Sequence, residues 1–282
     1  MYAGAVWIEL HCHSTCSDGS EAPDEVATRA ARRGVEVFCL TDHDSCTGYP
    51  DTLGSCPRVL RGLELSCVEG ERTVHVLLYD IKGDDARWKQ VEERLEIMRE
   101  TRMDRLRAIA ERLERLGIAG VSASVETIIA NANGRTVGRP DIARILLEKG
   151  AISTLDEAYR RFIGDGGIAN VPVDRFSVAE GLDLGQRAGA RMALAHPHTL
   201  GERAGELVRT YRDRGLQGLE CYYGSYNHRQ RRRWLQLASK LDLVVTGGSD
   251  FHGTPGHRSR LGRPRVPDAW GEALVARIHT PR

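Results

Sequence analysis

A chain of 282 residues whose formal net charge is only +1, although 28% of its residues are charged, carries no global field that would draw it to nucleic acid, a membrane surface or an acidic protein. A small polar ligand is the expected partner, and the length suffices for one substantial core plus an insertion. Seven cysteines, odd in number and without a Cys-x-x-Cys pair, are expected as free thiols in a reducing compartment.

Met1 to Leu10 contains neither a basic leader nor a long apolar run, and no later stretch reaches the roughly 18 apolar residues of a membrane span, so a cytoplasmic protein is expected. Val6-Trp7-Ile8-Glu9-Leu10 reads as a strand running into His11-Cys12-His13. Strand alternation sends His11 and His13 to one face and Cys12 to the other, which counts against a Cys12 thiolate ligand. Ser17-Asp18-Gly19 follows. A second apolar run, Val35 to Leu40, leads into Thr41-Asp42-His43-Asp44; Val59-Leu60 precedes Glu64; Thr73-Val74 and Val76-Leu77-Leu78 enclose His75.

From about residue 84 to 166 the strand pattern gives way to helical spacing, with Trp88, Val91, Leu95, Met98, Leu106 and Ile109 on one face and Gly117 as a stop. The expected organisation is a barrel over 1–83 and 167–282, with a helical insertion over 84–166 that contributes to the substrate site. Its arginines from Arg102 to Arg115, interleaved with Glu111 and Glu114, read as a solvated face. A further helix is expected from Arg139-Pro140, where proline suits the first turn. Arg139 and Arg144 near that N-terminus form a candidate anion site, the alternative being local pairing with Asp141 or Glu148.

Beyond the insertion, Met192-Ala193-Leu194 precedes Ala195-His196-Pro197-His198, and Leu243-Val244-Val245-Thr246 precedes Ser249-Asp250-Phe251-His252. Tyr222, Tyr223 and Tyr226, after Leu219-Glu220-Cys221, read either as an aromatic wall against a sugar or base or as ordinary packing. Repeated strands with polar ends suggest parallel strands whose ligands converge on one rim. Imidazole and carboxylate suit intermediate divalent cations, and so many charges in one cleft are unfavourable unless cations occupy it. A hydrolytic metal site is the expectation.

The ordered set His11-x-His13, Ser17-Asp18-Gly19, Thr41-Asp42-His43-Asp44, Glu64, His75, Ala195-His196-Pro197 and Ser249-Asp250-x-His252 resembles the polymerase and histidinol phosphatase (PHP) family of metal-dependent phosphoesterases, in the branch of nucleoside 3′,5′-bisphosphate phosphatases and a bacterial 5′-to-3′ exoribonuclease. The resemblance covers nearly the whole chain. It implies an α/β fold, a distorted (β/α)7 barrel with a helical insertion, and three divalent metal ions (manganese, iron or zinc). By resemblance, His11, His13, Glu64 and Asp250 hold the first, Glu64, His75 and His196 the second, and Asp18, His43 and His252 the third, with Glu64 bridging. Asp42 and Asp44 are expected to orient His43 or neighbouring ligands.

The implied chemistry is hydrolysis of a phosphate monoester of a nucleotide or nucleotide-like metabolite by a metal-bridging hydroxide, with Arg139 and Arg144 holding phosphoryl oxygens. His198, where relatives often have glycine, is a candidate proton donor to the leaving group. Relatives also commonly carry histidine where this chain has Asp141, and lysine near the segment occupied here by Gly166-Gly167. The missing cations favour a singly phosphorylated nucleoside or sugar, a 2′- or 3′-phosphate included, over a bisphosphate or an RNA end. A 5′-3′ exoribonuclease, a 3′,5′-nucleoside bisphosphate phosphatase and a non-enzymatic, metal-stabilised binding domain are the alternatives. Neither a membrane nor a stable nucleic-acid partner is expected.

Overall fold

In the computed structural model, residues 7–80, 83–132, 135–164, 166–172, 175–253 and 260–265 are described; most of the expected leaderless start, residues 1–6, lies outside them. The strands are β1 (Ile8–Glu9), β2 (Val37–Leu40), β3 (Arg58–Glu69), β4 (Arg72–Asp80), β5 (Phe176–Ser177), β6 (Arg191–Leu194), β7 (Leu216–Tyr223) and β8 (Val244–Gly248). They form one sheet in the order β1-β2-β3-β4-β6-β7-β8, with β5 pairing to β3 off that path. The path nearly closes on itself, because the chain after β1 meets the chain at and after β8: Leu10 N donates to Gly247 O (3.3 Å), His13 N to Phe251 O (2.8 Å), and Asp250 N to His11 O (2.7 Å). The result is a distorted barrel.

Closure depends on Gly248. A Cβ there would lie 2.4 Å from both the backbone N and the Cβ of His11, so any side chain would push apart the two strand ends that carry His11 and Asp250.

The expectation of parallel strands throughout fails at β4, which runs antiparallel to β3 and to β6. The physical reason is local. Only Gly70 and Glu71 separate β3 from β4, Gly70 adopts φ 59°, and a two-residue connection can join only antiparallel neighbours. Glu64 therefore lies inside a long strand rather than at its end. His75 pairs opposite Ser66 in the hairpin register, which puts Glu64 and His75 diagonally on one face.

The helices are α1 (Pro23–Arg32), α2 (Tyr49–Thr52), α3 (Asp85–Arg115), α4 (Val121–Ala130), α5 (Arg139–Glu148), α6 (Leu155–Ala158), α7 (Val178–Ala188), α8 (Arg203–Tyr211) and α9 (His228–Lys240). The chain divides into two compact units, Met1–Glu92 with Phe176–Arg282, and Glu93–Arg175. The first holds the barrel. There Cys12 is buried with Val26, Phe38, Leu40 and Phe251, on the side of the strand that alternation assigned to it. At the start of α3, Trp88 is fully buried; the Arg61 guanidinium lies 5.2 Å from its ring and pairs with Asp80 and Asp85, each at 2.7 Å.

The second unit has its own core, in which Leu106, Ile109 and Leu113 of α3 pack with Val125, Ile142 and Leu146. Gly117, at φ 90°, ends α3, and Ile118 N returns to Leu113 O at 3.1 Å. The arginine run is only partly a solvated face. Arg105 donates to Val171 O (2.6 Å) and Arg112 to Asn170 O, clamping the 170–171 segment, while Arg107 pairs with Glu126 at 2.8 Å. Among the described residues no helix is long and apolar enough to cross a membrane.

Candidate metal centre

Six of the ten histidines gather around one carboxylate pair in the barrel unit. Glu64 is fully buried and touches five imidazoles: Oε2 lies 3.3 Å from His11 Nε2, 3.3 Å from His13 Nε2 and 3.1 Å from His43 Nδ1, while Oε1 lies 2.9 Å from His75 Nδ1 and 2.8 Å from His196 Nε2. Asp250 Oδ1 sits 3.1 Å from His13 Nε2 and 3.4 Å from His11 Nε2. Asp18 approaches His252 (3.3 Å), His13 (3.7 Å) and His43 (3.8 Å). All nine metal-ligand candidates named from the sequence thus lie in this cluster.

Three donor groups have ligand atoms mutually within 4.8 Å: His11, His13, Glu64 and Asp250; His13, Asp18, His43 and His252; and His43, Glu64 and His75. His196 adjoins the last, its Nε2 being 3.3 Å from His75 Nδ1. Oxygen and nitrogen donors in this mixture suit an intermediate divalent cation. Four buried atoms, His11 Nε2, His13 Nδ1, Glu64 Oε2 and His196 Nδ1, have no hydrogen-bond partner. Such atoms are costly unless something outside the protein satisfies them, and cations held by the donor groups would do so for His11 Nε2, His13 Nδ1 and Glu64 Oε2. The residues present fit a metal centre.

Two carboxylates that sequence reasoning did not assign support the cluster from behind. Glu220 is fully buried; its Oε1 is 2.8 Å from His11 Nδ1 and its Oε2 accepts from His196 N at 2.7 Å. With the Nδ1 proton directed to Glu220, the His11 lone pair at Nε2 faces Glu64 and Asp250, the arrangement by which a second carboxylate fixes a ligand tautomer. Glu9, also fully buried, accepts from Ser249 N (2.8 Å), Gly262 N (2.6 Å) and His11 N (3.3 Å), tying the residue before Asp250, and Gly262, to β1. Burial pushes its carboxyl up to about 7.

Asp42 and Asp44 act on backbone and loop. Asp42 accepts from Ser14 N (2.7 Å), Ser14 Oγ (2.7 Å) and Ser17 Oγ, which fixes the turn carrying Asp18. Asp44 accepts from Ser66 N at 2.7 Å, anchoring β3 two residues from Glu64. Among the described residues only four non-glycines adopt positive φ, and three are here: Asp44 (50°), His196 (22°) and Asp250 (52°). Strain concentrated at ligand positions is what a pre-shaped site stores.

Outside the ligands, His198 Nδ1 is 3.0 Å from Tyr226 Oη, and Tyr223 Oη donates to Asp250 Oδ2 at 2.7 Å. In the other unit, Arg144 Nη1 donates to Asp141 Oδ1 (3.0 Å), Arg135 Nη2 shares the same oxygen (3.1 Å), and Asp141 Oδ2 caps Gly138 N (2.8 Å). Arg139 Nη1 donates to Ile163 O at 3.2 Å. Gly167 proves to be a backbone requirement: a Cβ would lie 2.5 Å from the Phe162 carbonyl, so a lysine at this position is excluded by the turn.

The charges predict a pH dependence. Burial depresses the His13 imidazolium, but its hydrogen bond to Asp250 and the neighbouring Glu64 and Asp250 carboxylates outweigh this and carry it up to about 10; burial holds His43 down at about 4. Because the folded pKa of His13 exceeds its unfolded value near 6.5, its stabilisation of metal-free protein is complete below pH 6.5 and is lost as pH rises through about 10. A cation replaces that proton, so metal affinity rises over the same window. Thermal midpoints of demetallated protein should fall between pH 6.5 and 10 while the Mn2+-loaded midpoints stay closer to level; a level metal-free profile would contradict this assignment.

The PHP domain family profile matches residues 9–166. The 3′,5′-nucleoside bisphosphate phosphatase of Chromobacterium violaceum is 31% identical over 263 residues, covering 90% of this chain and 89% of that protein. The 5′-3′ exoribonuclease Rnm of Salmonella typhimurium is 29% identical over 257 residues, covering 88% of this chain and 86% of that one. A solved structure described as a candidate metal-dependent phosphoesterase from Bifidobacterium adolescentis superposes with a TM-score of 0.78 at 25% identity, covering 97% of each chain.

Proposed function

The chain belongs to the PHP domain family of metal-dependent phosphoesterases, and from that premise we propose that it is a phosphatase releasing phosphate from a singly phosphorylated nucleotide or nucleotide-like metabolite. The observation that carries the reading is Glu64, whose two oxygens face different sets of imidazoles, the disposition of a bridge between cation sites. We assign three divalent cations to the three donor groups. Bound there, they supply Lewis acidity toward the phosphoryl oxygens and acidify water near neutral pH.

The protein's own residues do the rest. Glu220 and Asp42 keep His11 and the Asp18 turn in place before substrate arrives, so little reorganisation is left for the transition state. Tyr226 Oη accepts from His198 N (3.2 Å) and lies 3.0 Å from Nδ1; where the hydroxyl donates to Nδ1, the neutral ring carries its proton on Nε2. Burial and neighbouring His196 lower the His198 pKa, so the ring is held neutral, able to give the departing oxygen a hydrogen bond but not a proton, which counts against His198 as the leaving group's general acid. Arg139 and Arg144 are assigned to the substrate's phosphate, for which their planar forks are suited.

Asp141 carries the preference for one phosphate. Its carboxylate already engages Arg135 and Arg144, and a second phosphate beside it would meet like charge. With a panel of nucleoside 2′-, 3′- and 5′-monophosphates, their 3′,5′-bisphosphates and short RNAs at fixed metal and ionic strength, the best monophosphate should show the highest kcat/KM, and Asp141→Asn should narrow its lead over the bisphosphate. A wild-type preference for the bisphosphate or RNA, unchanged by Asp141→Asn, would instead assign the activity named for the relatives.

A further inference from the structure

We propose that Tyr223 is a positioning residue for the metal centre, its hydroxyl holding the Asp250 carboxylate so that Oδ1 is the oxygen presented to the cations. The inference rests on the reading that this cluster holds metals. Asp250 is fixed at its backbone, by φ 52° and by the 2.7 Å bond from its N–H to His11 O. The backbone does not by itself decide the rotation of the carboxylate, whose two oxygens are chemically equivalent. Tyr223 breaks that equivalence: its hydroxyl donates to Oδ2 at 2.7 Å, while Oδ1 lies 3.1 Å from His13 Nε2 and 3.4 Å from His11 Nε2.

The tyrosine is itself held. It is the last residue of β7 and pairs in register with Gly248 of β8, and its ring lies 5.0 Å from that of Tyr226, 5.2 Å from that of His198 and 5.9 Å from that of His196. Its hydroxyl is committed to Asp250, as that of Tyr226 is to His198, so the tyrosine pair is more than an aromatic wall. A carboxylate–donor contact of this kind, one shell out from a metal, typically changes metal affinity by about 10- to 100-fold.

The test is calorimetric titration of demetallated protein with Mn2+. Tyr223→Phe, which keeps the ring, should weaken the affected site by about 10- to 100-fold, and its activity deficit should shrink as Mn2+ is raised. Tyr223→Met, which also lacks the hydroxyl, should show the same weakening, and Tyr226→Phe should leave Mn2+ affinity at the wild-type value. Wild-type affinity in folded Tyr223→Phe or Tyr223→Met overturns the proposal, as does equal weakening by Tyr226→Phe. His13→Ala separates this from the underlying reading: if it too binds Mn2+ like wild type, the cluster is not the metal site at all.

Discussion

Asp250→Asn and His252→Ala should each lower turnover at least about 100-fold while leaving the barrel folded. Asparagine is chosen at 250 because it tolerates the left-handed backbone there (φ 52°) and keeps the side chain's size, so the lost quantity is the charge. That charge is what His11 and His13 face at 3.4 and 3.1 Å. His252 serves a different donor group: its Nε2 lies 3.3 Å from Asp18 Oδ1, and its Nδ1 sits 3.0 Å from the Asp250 carbonyl, a contact that fixes the ring with its Nε2 toward Asp18. Circular dichroism and the metal-free thermal midpoint report folding, and phosphate release reports turnover. Undiminished turnover in thoroughly demetallated wild type, or in both variants, would remove the metal mechanism.

The ligands were legible because they sit in short motifs. His11-x-His13 puts two donors on one face by strand alternation, whereas Asp250 and His252, past the end of β8 and with Asp250 at φ 52°, were marked by the family motif, and each donor lies in the cluster. Glu220 and Glu9 were not legible in the same way. A single carboxylate within Leu219-Glu220-Cys221 resembles any polar residue on a half-exposed strand, and only burial of both faces of β7 turns it into a support for His11 and His196. The signal available was the apolar run on both sides, which marks a strand with no solvent face.

Topology was legible in part. The 31-residue helix α3 follows from periodicity and the barrel from the family resemblance, whereas the reversal at β4 hangs on Gly70-Glu71, a two-residue hairpin signal overlooked beside the run of parallel units. Gly167 shows the opposite error. Compared with relatives it looked like a cation removed to alter specificity, but the nearby Phe162 carbonyl makes it a steric requirement, and the case for a single phosphate contracts to Asp141.

Replacing Arg139 or Arg144 with methionine should cost about 2–4 kcal/mol in kcat/KM, roughly 30- to 1000-fold, if each makes a charge-assisted bidentate contact with phosphate. The competing account is scaffold pairing, and the two arginines differ in how well it serves. The Arg144 side chain is 55% exposed and its bond to Asp141 spans a single helical turn, so an ion pair of that kind contributes at most about 1 kcal/mol to stability. Its conformation is then affordable to change when substrate arrives. Arg139 donates to the Ile163 carbonyl and lies 5.9 Å from the Tyr159 ring, contacts that hold the guanidinium and leave its flat fork defined. Methionine preserves most of the aliphatic stem in both cases, so a scaffold role would appear as a lowered thermal midpoint with little change in kcat/KM. Lysine supplies the further distinction: charge without a fork should recover only part of the loss. If both methionine variants retain wild-type kcat/KM, the arginines belong to the second unit's own architecture and the phosphate must find its cations elsewhere.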